Sequence, residues 1–97
     1  MEGLTFTWEP KKAARSKAKH GVSFEEAQTA FYDESARLIS DPDHSDEEDR
    51  YVLLGMSAQL RVLVICHADR DDNIIRIISA WKADKQEQRQ YEDFKHA

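Results

Sequence analysis

Tyr51-Val52-Leu53-Leu54-Gly55-Met56, Leu60-Arg61-Val62-Leu63-Val64-Ile65-Cys66-His67 and Ile74-Ile75-Arg76-Ile77-Ile78-Ser79-Ala80-Trp81 are three runs dominated by β-branched and other apolar residues. Ser57-Ala58-Gln59 and Asp69–Asn73 separate them, too short for crossover helices, so the runs are expected to pair as an antiparallel meander. Arg37-Leu38-Ile39-Ser40 is a fourth, shorter strand candidate, followed by the polar acidic run Asp41–Asp49.

Outward from the strands, the signals turn helical. Upstream, Pro10 suits a first helical turn, Lys11–Lys19 is rich in Ala, Lys and Arg, and Gly21 suits a left-handed C-cap. Ser23 with Glu26 three residues later reads as a capping box, and Phe24, Ala27 and Phe31 fall on one helical face. Leu4–Trp8 alternates as a short strand or extended lead-in. Downstream, Asp84 and Glu87 mark a helix start, with helical composition over Lys85–Lys95. The expected fold is a single α+β domain over 1–97: two N-terminal helices, an antiparallel meander of about four strands and a C-terminal helix. The helices would cover one sheet face and leave the other open.

The 97 residues include 19 Asp+Glu and 14 Lys+Arg, for a formal charge of -5, and 40% are hydrophobic. Such a chain is too apolar for disorder, and its longest apolar run, Val62–Cys66, is too short to span a membrane. One cysteine, Cys66, excludes an internal disulfide and fits a reduced, cytoplasmic setting. The net charge argues against nucleic acid only until it is divided. Residues 1–20 carry five cations and two acids (+3), residues 21–60 two cations and ten acids (-8), and residues 61–97 seven of each. The acidic middle, Asp41–Asp49 above all, reads as a solvated loop or as a docking patch for a basic partner.

Few residues have the spacing chemistry needs. The histidines are His20, His44, His67 and His96, and no two stand at i,i+3 or i,i+4, so no metal set is expected. Cys66 and His67 are adjacent on a strand and point apart, which rules out a nucleophile pair. Arg61 and Arg76 each lie at the head of an apolar strand, where they either snorkel or pair with a carboxylate, or grip phosphate oxygens as a fork. Alternation puts Arg76, Ile78, Ala80 and Lys82 on one face, and Ile75, Ile77, Ser79 and Trp81 on the other.

The chain resembles BrnT-type toxins over nearly its whole length. The resemblance is carried by Phe6-Thr7-Trp8, Lys12 and Lys19-His20-Gly21-Val22-Ser23-Phe24-Glu25-Glu26-Ala27, then by Asp41-Pro42-Asp43-His44-Ser45 with Glu48 and Arg50. Gly55, Arg76-Ile77-Ile78-Ser79-Ala80, Lys82-Ala83 and Tyr91-Glu92 complete it. It implies a RelE-like ribonuclease fold that cuts RNA without a metal or other cofactor, arrests growth, and is neutralised by a basic, DNA-binding BrnA-type antitoxin in a dimer of heterodimers. The site residues it implies are Arg61 and Arg76, with Lys19, His20 and Lys82 as catalytic neighbours and Trp81, Ser79 and Arg50 toward the substrate. The chain departs from the family at Trp81, where an arginine is usual, and at Ser16, where asparagine is common. Trp81 is open to three roles: stacking on a base, packing, or marking a domain that has lost cleavage and keeps only antitoxin binding and operon control.

Overall fold

A computed structural model describes residues 3–40, 50–71 and 73–96. In chain order its elements are β1 (Thr5–Thr7), α1 (Pro10–His20), α2 (Phe24–Thr29), a 3-10 turn (Ala30–Tyr32), β2 (Arg37–Ser40), β3 (Arg50–Met56), β4 (Val62–Asp71), β5 (Ile74–Lys82) and α3 (Lys85–Lys95). The acidic run 41–49 lies outside the described residues.

The meander forms as the short turns require. β2, β3, β4 and β5 pair antiparallel in succession, with Leu53 opposite Ile65 and Ile65 opposite Ala80 in the centre. The sheet nevertheless has five strands and is mixed, because β1 joins β5 in parallel, Phe6 facing Ile75. A three-residue strand carries almost no periodic signal, and its parallel pairing depends on a segment some seventy residues away in sequence.

Two further expectations are corrected. The face opposite α1 and α2 is not bare. Tyr91 of α3 packs there on Leu54, Val64 and Ala83, and Arg37 lies 5.4 Å above the Phe94 ring. The larger core, on the other face, joins Val22, Phe24 and Ala27 to Leu63, Ile65, Ile77 and Ala80. The alternation expected along β5 also breaks. Cys66 pairs with Ser79 but His67 pairs with Ile77, so Ile78 is an extra residue in a bulge. Beyond it the faces exchange, so that Ile77 and Ala80 both enter the larger core and Arg76 and Lys82 no longer share a row.

The caps follow the sequence with one exception. Gly21 ends α1 at φ 73°, its N–H donating to Lys17 O, and Asp84 with Glu87 forms a complete capping box at α3. At α2 only half the expected box exists. Ser23 Oγ accepts from Glu26 N–H, but the Glu26 carboxylate turns away to other partners. Gly55 is required by close packing: a Cβ there would stand 3.0 Å from Ala30 O and 3.1 Å from Ala36 Cβ.

α1 is held to the sheet by Ser16, the buried polar residue of an otherwise alanine-and-cation helix. Its hydroxyl donates to Ala80 O and accepts from Ala80 N–H, each at 3.3 Å, and so stands in for a strand partner where β1 has ended. Ser16→Ala leaves both groups unpaired beneath the helix and is expected to cost about 1–3 kcal/mol. Urea unfolding measures the cost; an unchanged midpoint would mean the helix does not depend on this contact.

Candidate functional site

The α1–β5 seam gathers cations. Lys12, Arg15 and Lys19 recur at helical spacing along one side of α1, with Ser16 between them, and face Ile78 and Ser79 across a groove of about 250 Å³. The groove runs on past His20 to Trp81 and Lys82, which line a more open hollow with Lys19. The His20 and Trp81 rings are tilted against one another with centroids 5.9 Å apart. Of the residues singled out from sequence, Lys19, His20, Ser79, Trp81 and Lys82 therefore lie together. Lys12 and Arg15 were not singled out as site residues; their i,i+3 spacing with each other, and Arg15's i,i+4 spacing with Lys19, is the signal that finds them.

Arg61 and Arg76 do not converge. Arg61 immediately precedes β4, whereas Arg76 lies opposite Ala68, seven residues further along that strand, about 23 Å at normal strand rise. Arg76 Nη2 is 3.3 Å from Glu9 Oε2, the carboxylate that also holds Lys12 at 3.4 Å. Arg50, like Arg76, is opposite Ala68, so the two arginines flank that residue in one cross-strand row; neither lines the groove, which Arg76 adjoins through the Glu9 it shares with Lys12.

Arg61 serves the fold around the groove. Its Nε donates to Glu26 Oε2 at 2.9 Å, its Nη2 to Glu26 Oε1, and Nη2 also reaches Gly21 O at 3.3 Å. Ser57 Oγ donates to the same carboxylate at 2.7 Å. The Glu26 side chain is 3% exposed and that of Arg61 34%, so the pair is half-sheltered from water. Gly21 follows His20 directly, so this cluster fixes the corner from which His20 and Lys19 project.

The same bonds set the pH response. The Arg61 fork holds the Glu26 carboxyl below the usual carboxylate range, against the opposing effect of burial and with help from Ser57. Burial pushes Asp33 up, but the Tyr91 hydroxyl and the N–H groups of Met56 and Ser35 outweigh it and leave Asp33 low. The Tyr91 hydroxyl is itself pushed up by burial and Asp33 and remains a donor.

A sheet flanked by helices, with a cation-lined groove along one edge, defines a small α+β domain suited to a polyanionic ligand. The model of the BrnT ribonuclease toxin family of type II toxin-antitoxin systems matches residues 8–87, and the chain belongs to that family. In fold it is similar to the crystal structure of the Brucella abortus ribonuclease toxin BrnT, with a TM-score of 0.67 and 19% identity over 84% of this chain and 99% of that one. No curated protein sequence matches it.

Both lowered carboxylates stabilise the fold fully above their unfolded values and lose that contribution as pH falls through their folded ones. Circular dichroism during acid titration should therefore show stability declining below about pH 4.5, the ordinary value for Glu26. Glu26→Gln should start less stable at neutral pH and decline less steeply; an unaltered slope would detach Glu26 from the acid response. Arg61→Ala should cost about 2–3 kcal/mol, since it strips a charged hydrogen-bond partner from a buried carboxylate.

Proposed function

We propose that this chain is a metal-independent endoribonuclease toxin acting in the cytoplasm, that the α1–β5 groove is its RNA site, and that a basic BrnA-type antitoxin neutralises it, with dimers of heterodimers as the repressing complex. The observation that carries the reading is the meeting of Lys19, His20, Trp81 and Lys82 at one end of a groove whose walls add Lys12 and Arg15.

RNA can be cut by its own 2′-hydroxyl. That oxygen must lose a proton, attack phosphorus and expel the 5′-oxygen, which must gain one, leaving a 2′,3′-cyclic phosphate and a 5′-hydroxyl. His20 is the imidazole suited to take the 2′ proton. The ammonium groups of Lys19 and Lys82 stabilise charge on the phosphorane, and the one beside the leaving oxygen returns a proton. Trp81 offers a flat face on which an unpaired base stacks, with the His20 ring beside it. Ser79 borders the groove as a hydrogen-bonding contact, and Arg76 and Arg50 lie outside it as phosphate contacts for longer RNA. Arg61 is a positioning residue acting through Gly21 and Glu26.

His20→Ala should lower RNA cleavage by the purified protein about 10²–10⁴-fold, the usual range for a general base, without shifting the thermal midpoint. Lys19→Ala and Lys82→Ala should weaken RNA binding and flatten its salt dependence, because each removes a phosphate contact. Full cleavage by a folded Lys19→Ala/His20→Ala/Lys82→Ala variant would overturn the site. No cleavage by the parent protein, with antitoxin binding intact, would leave the non-enzymatic module reading instead.

A further inference from the structure

The side of the molecule away from the groove holds a second cavity, of about 350 Å³, between the Ala30–Tyr32 turn and the sheet. Phe31, Leu38, Leu53 and Ile75 form its apolar walls, and Glu34 and Asp69 lie at its acidic rim. His67 lines it and is 1% exposed, yet neither ring nitrogen has a hydrogen-bond partner. Phe31 meets the ring edge-on at 4.9 Å and Tyr51 stacks on it at 5.9 Å, so its packing is complete and only its polar atoms are idle. Asp69 Oδ1 stands 3.4 Å from Nδ1 but off the hydrogen-bond line, and acts on the ring as a nearby charge. Buried polar side chains are rarely left unpaired, so an idle imidazole in the lining of a cavity is the mark of a missing partner atom. Burial favours the neutral ring, against the pull of Asp69, and a neutral imidazole has one nitrogen that can only accept.

The cavity adjoins β2, which is the edge strand of the sheet among the described residues. Leu38 and Ile39 on that strand are 52% and 46% exposed, large apolar side chains on an edge that could template another strand. Leu38 shares the cavity's face, so a strand added alongside β2 would set every second side chain over the cavity mouth. The charge at the cavity decides what that strand carries: Asp33, Glu34 and Asp69, which line it, are all acids.

We infer that β2 and the His67 cavity are a docking site for an extended basic segment of the antitoxin, which adds to the sheet edge and inserts one lysine or arginine. Its aliphatic stem lies on Phe31, Leu38 and Ile75, and its N–H groups reach the accepting nitrogen of His67 and the carboxylates of Asp69 and Glu34. This rests on the antitoxin half of the function proposed above and is independent of the cleavage half. Toxin and antitoxin are then joined at the sheet edge opposite the RNA groove.

The test titrates the full-length protein with the purified product of the neighbouring antitoxin reading frame by calorimetry, and assays RNA cleavage in the same preparations. His67→Phe keeps the ring packing and removes the idle nitrogens, so it should unfold at the same or higher urea while weakening the antitoxin at least about tenfold. Leu38→Lys, and Glu34→Gln with Asp69→Asn, alter only exposed groups and should weaken it comparably. Cleavage by the free variants should stay at the parent level. Unchanged antitoxin affinity in all three variants, no binding by the parent, or a free protein that self-associates until Leu38→Lys makes it monomeric would each overturn the proposal. Loss of binding in the variants, with a parent protein that cuts no RNA, upholds the docking site and sinks only the ribonuclease assignment.

Discussion

The Glu26 carboxylate is the point on which the rest of the molecule turns. It belongs to the first turn of α2, yet its partners, Arg61 and Ser57, come from the turn that joins β3 to β4. One buried anion thus joins the helical layer to the central hairpin, and Arg61 passes the constraint on to Gly21 O. Burying such a charge is costly unless its lone pairs are filled, and here both oxygens are. The half-formed cap of α2 follows directly: Glu26 cannot both reach back to the Ser23 backbone and hold Arg61. A local capping contact is given up for a long-range one that fixes where α1 ends and where His20 and Lys19 begin.

Charge is sorted across the sheet in the same way. α1 brings cations to the β5 edge, while Asp33, Glu34 and Asp69 line the cavity beside β2, the opposite edge among the described residues. A net charge of -5 therefore averages over surfaces of opposite sign and says nothing about either. A partner anchored at β2 silences the groove only by continuing across the sheet, so holding the toxin and blocking its site are separable acts.

What the sequence made legible was whatever is decided locally. The bounds of β2 and α3, the left-handed Gly21 and the Asp84–Glu87 box all rest on residues within a few positions of one another, and they stand as expected. The parallel strand β1, the bulge at Ile78 and the placement of α3 on the second face depend on contacts between distant segments, which periodicity does not encode. The candidate site divides along the same line. Lys19 and His20 adjoin in sequence, and Trp81 and Lys82 likewise, so each half could be named. Arg61 was open to a carboxylate or a phosphate partner, because nothing nearby in sequence singles out Glu26, thirty-five positions earlier.

The central claim is that RNA lies along α1 and the end of β5. Amide chemical-shift mapping of the labelled protein, titrated with a short single-stranded RNA carrying a 2′-methoxy block, reads this directly. Shifts concentrated at Lys12, Lys19, His20, Ser79, Trp81 and Lys82, and fading with added salt, are the predicted result. Shifts concentrated around β2 and His67 with the groove silent would contradict the account.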